Sequence, residues 1–413
     1  MSHYDSLQRA SWDADDRSSA ENIVVVGGGP AAHRCLIGLR KAGYTGSLTV
    51  VSSDTLLPYD RTLLSKGALM NDAAGVVSMA LPGQYESLDI QVRLGRTAVE
   101  LNEKRQVIEL ADGTALDYDR AVLAVGGSPI LPRALAAPGV LTIRRATDVA
   151  PMRDALERSR YVVVIGAGFI GGEIAAAART RGCAVTLVES ASTPLEGVLG
   201  AEVGTLLGDQ HVSHGVDVRC GVQADSVHEV SEGYLVVLSD GTTLACDSVV
   251  VGVGMRPAID WLRSTGIEID RAILTDSMCR TSIPGVFAAG DCAQWWSPRY
   301  GCYCHVEHWD TAGKHGAAAA QAIMGRADAF DPLPFFWSDQ YDIKYQWAGY
   351  APTWDAVDLV RSESGAFCAR YLYRGASVGV FTANDPHEFG RLRRELLNAT
   401  TTTANAEMMV AKL

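Results

Sequence analysis

Ile23-Val24-Val25-Val26-Gly27-Gly28-Gly29-Pro30-Ala31-Ala32 is the stretch on which the fold turns. A buried β-branched run ends in Gly-x-Gly-x-x-Ala. A helical pattern follows through Leu36, Leu39 and Arg40 to Gly43, and Leu48-Thr49-Val50-Val51 reads as a second buried strand that closes at Asp54. Strand, glycine turn, helix, strand and acid, in that order, make a dinucleotide-binding unit. Gly27 permits the tight turn, Gly29 lets the backbone approach a pyrophosphate, and Ala32 is small enough for close helix–strand packing. The helix N-terminus turns free N–H groups and a partial positive charge toward the phosphates. Asp54 is placed to accept a hydrogen bond from a ribose hydroxyl. The glycine hexapeptide alone is an ordinary packing turn; its context makes it a nucleotide site.

The pattern returns once. Tyr161-Val162-Val163-Val164-Ile165 runs into Gly166-Ala167-Gly168-Phe169-Ile170-Gly171, an Ala-rich helix ends near Gly182, and Val185-Thr186-Leu187-Val188 closes at Glu189. Strand-like pieces at 96–101, 106–110 and 114–118, turning at Asp112-Gly113, are echoed by a hairpin around Asp240-Gly241. Buried strands at 121–125 and 248–251 close on Gly126-Gly127 and Gly252-Val253-Gly254. The fold expected is therefore α/β, with two Rossmann-like units, the second inserted in the first. Residues 22–127 and 253–330 form the first unit and 128–252 the second. From Pro332 the composition shifts to aromatic, strand-like runs near Tyr345, Leu359, 369–373 and 377–381, then a helix over 386–398 capped by Asn384 or Asp385. This is a small C-terminal α+β domain, 331–413, with a frayed end.

A chain of 413 residues is too long for one core. Its 47% hydrophobic and 20% charged content is that of a soluble globular protein, with no apolar run long enough to span a membrane. Residues 1–21 are polar and acidic, a disordered tail without the apolar core of a signal peptide. A net charge of −12 argues against a nucleic-acid partner. The nine cysteines are scattered and contain no Cys-x-x-Cys, which points to a reduced, cytoplasmic protein. Cys302-Tyr303-Cys304-His305 is too small a cluster for a metal site, and none is expected.

Glu189 holds a 2′-hydroxyl and repels a 2′-phosphate, so NADH is preferred to NADPH. A further buried strand ends in Gly290-Asp291, and Asp291 sits at a strand's C-terminal end, where ligands bind in such sheets. Glu307-His308-Trp309 then opens an Ala-rich helix over 311–324.

Taken together these pieces resemble the FAD-dependent ferredoxin reductases of oxygenase systems, within the pyridine nucleotide-disulfide oxidoreductase superfamily. The resemblance spans residues 22–398 and rests on Gly27-x-Gly29-x-x-Ala32, Pro58-Tyr59-x-Arg61 with Leu64-Ser65-Lys66, Gly166-x-Gly168-Phe169-Ile170-Gly171-x-Glu173, Arg280-Thr281-Ser282 to Gly290-Asp291, Glu307-His308-Trp309, and Trp337-Ser338-Asp339-Gln340. It implies that Gly27, Gly29, Ala32, Asp54, Arg61, Lys66 and Asp291 hold FAD, with Glu307, His308, Trp309 and Trp337 at the flavin site. It implies that Gly166, Gly168, Gly171 and Glu189 hold NADH. Lys66 and Glu173 would pair beside the flavin's reacting edge, an ammonium favouring the reduced flavin and a carboxylate compensating it in a dry pocket. The electron acceptor implied is a small iron–sulfur ferredoxin; on a chain of net charge −12, the cluster of Arg391, Arg393 and Arg394 on the last helix, with Lys344, is the basic patch expected to dock it. The chain departs from the family at Thr62-Leu63, where Pro-Pro is usual, and at Val125, where Thr is usual. The first departure is expected to loosen the loop carrying Lys66.

Other readings share these motifs. A disulfide reductase needs a redox cysteine near the flavin, and residues 60–67 contain none. Direct turnover of an organic substrate needs a pocket that Cys302, His305 and His308 would line. A third is an NADH-binding redox-signalling protein similar to apoptosis-inducing factor. Monomer and homodimer are both compatible with the sequence.

Overall fold

The computed structural model describes residues 22–70, 76–326 and 328–398. The expected disordered tail at 1–21 and the frayed end beyond 398 lie outside them.

The first sheet has five parallel strands in the order Val286–Ala288, Arg120–Leu123, Asn22–Val26, Ser47–Ser52, Gln91–Leu94. Its central strand is apolar on both faces because both are covered; Ile23, Val24 and Val25 are at most 1% exposed. Pro30 opens the helix Pro30–Lys41, where its missing N–H costs nothing, and Arg40 and Lys41 fall in the last turn, favourable to the helix dipole. This helix packs on Trp309–Ile323 backbone to backbone: a Cβ on Gly316 would lie 1.9 Å from the Ala31 carbonyl oxygen.

The chain leaves this sheet after Arg120–Leu123 and rejoins it beside the same strand at Val286–Ala288. Between lies a second parallel sheet, Asp217–Cys220, Ala184–Glu189, Tyr161–Ile165, Ser248–Val251. An antiparallel ribbon of Gly127–Pro129 with Met255–Pro257 carries the chain across and back. Each sheet carries a three-stranded antiparallel layer, Ala98–Asn102, Val107–Leu110, Ala115–Asp117 in one and Ala224–Val230, Gly233–Leu238, Thr243–Cys246 in the other. The expected α/β class, with one Rossmann-like unit inserted in another, is the fold observed.

The C-terminal sheet runs Phe335–Gln340, Ile343–Gly349, Ala376–Ala383, Phe367–Tyr373, Ala356–Arg361, all antiparallel. The helix Pro386–Asn398 follows, and Asp385 Oδ1 accepts the Glu388 N–H at 3.0 Å, so Asp385 rather than Asn384 is its cap. Phe335–Gln340 escapes a reading by hydrophobic alternation. Its fully buried residues are the polar ones, Ser338 and Gln340 at 0% and 3% exposed, while its aromatics stay half-open.

Candidate functional site

Both glycine turns open on one cleft of about 1200 Å³, which runs between the two Rossmann-like units and reaches Phe336 and Trp337 of the C-terminal sheet. Gly27 adopts φ +137°, and a Cβ there would lie 2.0 Å from the Ala124 carbonyl oxygen, so only glycine fits. Gly29 and Gly168 differ: a Cβ on Gly29 meets nothing within 4 Å, and one on Gly168 meets only the Gly252 carbonyl oxygen at 4.0 Å. Their backbone faces the cleft bare, as a close-approaching pyrophosphate requires. A Cβ on Gly171 would lie 1.9 Å from the Gly166 carbonyl oxygen, which makes Gly171 the packing glycine of the second turn. Ala32, fully buried, holds the matching position in the first.

The strand-end acids are more occupied than their sequence suggests. Asp54, 6% exposed, accepts from the Tyr59 hydroxyl at 2.7 Å and from Arg61 at 3.3 Å. Arg61 also lies over the Tyr59 ring at 4.7 Å and donates to the Arg144 carbonyl at 2.7 Å. Asp54 thus anchors the loop that carries Lys66, while still lining the cleft. Glu189 accepts from the Ala167 N–H at 2.7 Å and the Ala191 N–H at 3.0 Å, pinning the second glycine turn to the strand end.

Lys66 and Glu173 meet at 2.8 Å, with side chains 14% and 2% exposed, and both line the cleft. Lys66 Nζ also donates to the Thr62 carbonyl at 3.2 Å. The loop before it carries a restraint of its own at Thr62. Asp60 caps the 3₁₀ turn Arg61–Leu63 by accepting both the Thr62 N–H at 2.9 Å and the Thr62 hydroxyl at 2.6 Å. Proline could make neither bond, so side-chain capping restrains the turn where ring closure would otherwise do so. Val125 lines the cleft and packs on the first unit's core.

The far wall is acidic. Asp291, 13% exposed, pairs with Arg144 at 2.8 Å, and Arg144 Nε donates to the Gly127 carbonyl at 3.1 Å. Glu307 shares this wall and is open to the cleft, yet burial, reinforced by Asp291, pushes its carboxyl up to about 7. Burial likewise lowers His308 to about 4, so its imidazole is neutral. His308 Nδ1 and Trp309 Nε1 are buried polar atoms without a protein partner, and both residues line the cleft. Trp309 and Trp337 meet edge to face at 6.0 Å. Bare glycine backbone, an unpartnered indole N–H and imidazole nitrogen, and a paired cation at one cleft fit a flavin dinucleotide and a nicotinamide dinucleotide.

The contacts that Arg144, Tyr59, Ser65 and Ser338 make at the site follow from no local sequence pattern. No local motif marks Arg144; its partner is 147 residues away. Ser65 and Ser338 lie inside quoted motifs, but only the fold brings them to Glu173. His305 Nε2 donates to the Asp291 carbonyl oxygen at 2.8 Å, Cys302 is buried 3.7 Å from Cys304, and neither lines the cleft among the described residues. The trio Cys302, His305 and His308 therefore does not form one pocket. On the last helix Arg391 is bound by both Glu388 and Glu395, Arg393 covers the Phe335 ring at 5.0 Å, and Lys344 pairs with Asp339 at 3.3 Å.

Residues 21–316 match the family described as pyridine nucleotide-disulphide oxidoreductase, and residues 335–411 match that described as reductase C-terminal. The chain is 34% identical over 340 residues to the ferredoxin–NAD(+) reductase component of the anthranilate 1,2-dioxygenase system of Burkholderia cepacia, covering 80% of this chain and 82% of that one. It is 33% identical over 385 residues to putidaredoxin reductase of Pseudomonas putida, covering 91% of each. The solved structure of a covalent putidaredoxin reductase–putidaredoxin complex aligns with a TM-score of 0.86 at 30% identity, over 95% of this chain and 98% of that one. With the glycine turns, cleft and C-terminal sheet described above, these likenesses place the chain in the pyridine nucleotide-disulphide oxidoreductase family.

Proposed function

We propose that the chain is an NADH-dependent flavoprotein reductase that passes electrons through FAD to a small iron–sulfur ferredoxin serving an oxygenase such as a cytochrome P450. The observation that carries this reading is the single cleft onto which both glycine turns open, with the Lys66–Glu173 pair between them. When bound, FAD supplies the conversion of a two-electron hydride donor into single electrons for the acceptor. Gly27, Gly29 and Ala32 form the pyrophosphate cradle, and Asp54, Arg61 and Asp291 shape the rest of the FAD site, Asp291 with its charge balanced by Arg144. Glu307, His308, Trp309 and Trp337 form the wall around the flavin. Gly166, Gly168, Gly171 and Glu189 hold NADH, and Glu189 sets the preference for a free 2′-hydroxyl. Lys66 presents positive charge to the flavin edge, and Glu173, itself nearly inaccessible, keeps that charge compensated.

Residues 22–127 with 253–330 are taken as the FAD unit, 128–252 as the NADH unit and 331–413 as the C-terminal unit. No helix among the described residues is long and apolar enough to cross a membrane, and the nine cysteines are free; a cytoplasmic location suits free thiols. The ferredoxin surface is placed on the last helix around Arg391 and Arg394, even though Glu388 and Glu395 offset much of the Arg391 charge. Anaerobic stopped-flow mixing tests the reading: NADH should bleach the flavin, and a ferredoxin should then restore its colour. Arg391→Glu with Arg394→Glu should slow the second phase and flatten its salt dependence while sparing the first. A flavin that NADH does not reduce, or that reoxidises only with an organic substrate, overturns the assignment.

A further inference from the structure

Three separate parts of the chain converge on the Glu173 carboxylate. Glu173 lies on the helix Phe169–Thr180 of the second Rossmann-like unit and is 3% exposed. Lys66, from the first unit, donates to Oε1 at 2.8 Å, and Ser65 beside it donates to Oε2. The third donor comes from the C-terminal sheet: the Ser338 hydroxyl reaches Oε1 at 2.5 Å. Ser338 is fully buried and does not line the cleft, so it touches the ligand site only through Glu173.

Ser338 is itself held. Gln340 Nε2 donates to the Ser338 hydroxyl oxygen at 3.3 Å. The Gln340 amide is pressed against Gly172, where an added Cβ would sit 2.9 Å from Nε2 and 3.0 Å from Oε1. Gly172, next to Glu173, thus leaves the gap into which the C-terminal strand docks. Behind Gln340, the next residue Tyr341 fits against two histidines of the helix Glu196–Ser213 and its end. Its hydroxyl is 2.9 Å from His211 Nδ1, and its ring stacks on His214 at 3.6 Å. The contact is a docked surface rather than one stray hydroxyl.

We propose that Ser338 is a positioning residue for the Lys66–Glu173 pair, through which the C-terminal unit sets the charge that the pair presents to the cleft. The inference rests on the reading that this pair faces bound FAD. Each hydrogen bond to a carboxylate disperses its negative charge, so losing one makes the local potential more negative and disfavours an electron-rich neighbour. Removing the carboxylate does the opposite, because Lys66 is then unopposed.

The experiment compares the holoproteins of Ser338→Ala, Gly172→Ala and Glu173→Gln with wild type, by stopped-flow NADH reduction and by dye-linked redox titration of the flavin. Ser338→Ala should lower the limiting reduction rate about threefold to tenfold with the apparent Kd for NADH unchanged. Gly172→Ala, which displaces the Gln340 amide that holds the Ser338 hydroxyl and deletes no donor to Glu173, should act in the same direction. The midpoint potential should fall in both and rise in Glu173→Gln. A shift in Glu173→Gln with none in Ser338→Ala and Gly172→Ala overturns the role of Ser338 alone. Unchanged potentials in all three show that the pair does not face the flavin, and both readings then fall. Equal loss of rate and NADH affinity in Ser338→Ala and Gly172→Ala, with wild-type potentials, overturns the positioning role in favour of a structural one.

Discussion

Replacing Lys66 by methionine tests whether the buried pair is a coupled unit. Lys66 Nζ and Glu173 Oε1 are 2.8 Å apart, with the two side chains 14% and 2% exposed. At an effective dielectric of about 20 their attraction is about 6 kcal/mol, before desolvation of both charges is set against it. Much of that gain is cancelled by the cost of burial, so the pair as such contributes little net stability. Breaking it is another matter. Lys66→Met leaves a nearly inaccessible carboxylate without its cation, and such losses run to about 3–5 kcal/mol. Here the hydroxyls of Ser65 and Ser338 still solvate the carboxylate, which puts the expected loss near the lower end, about 3 kcal/mol. In a chain of this length that lowers the melting temperature by only about 3 °C, so chemical denaturation is the better assay. Glu173→Gln should be milder, because Lys66 can turn toward the cleft and keeps the Thr62 carbonyl at 3.2 Å. The double variant Lys66→Met with Glu173→Gln should recover about 2 kcal/mol relative to the sum of the single losses. Urea unfolding of the four FAD-saturated proteins measures this coupling directly. Strict additivity, or a Lys66→Met loss below about 0.5 kcal/mol, would refute the claim that an uncompensated buried charge is what the pair prevents.

Three further outcomes follow from the site. Glu189→Arg should weaken NADH use by about tenfold and improve NADPH use, measured as kcat/KM for each; part of the loss arises because Glu189 also pins the Ala167 N–H of the glycine turn. Glu307 holds its proton up to about pH 7 in the folded chain, against about 4.5 when exposed, so the stability it contributes is fully present below about pH 4.5 and is lost as pH rises through 7. Glu307→Gln should therefore match wild type near pH 5 and be more stable at pH 8, by about 1 kcal/mol once solvent screening of this cleft-facing carboxyl is allowed for; a urea-unfolding difference between the two proteins that stays constant from pH 5 to 8 would contradict the shift. Asp60→Ala removes both bonds to Thr62 and should cost about 1 kcal/mol of unfolding free energy and slow flavin reduction, with Asp60→Asn, which keeps an acceptor, close to wild type in both assays.

What the sequence by itself determined is the part of the molecule written in short-range backbone requirements. Gly27 and Gly166 must be glycine because their φ values are +137° and +99° and a Cβ would strike the carbonyl of Ala124 or Gly252, just past the neighbouring strand. Such demands recur at fixed spacing with apolar strands on either side, so both Rossmann-like units, their nesting and the bare cleft-facing turns were readable from the chain. Even the acids at Asp54, Glu189 and Asp291 were located by their place at strand ends. Only the tertiary structure decided what those acids touch. Asp54 and Glu189 are drawn into bonding their own loops, Asp291 finds Arg144, and Glu173 collects donors from residues 65, 66 and 338. Long-range polar meetings leave no periodic trace, because a single hydroxyl or guanidinium satisfies each one. The strand Phe335–Gln340 reverses the usual signal: Ser338 and Gln340 face inward because a buried carboxylate and a bare glycine wait for them there. Thr62 is the same lesson at short range, since its two bonds to Asp60, a partner two residues away, leave no mark in the sequence pattern.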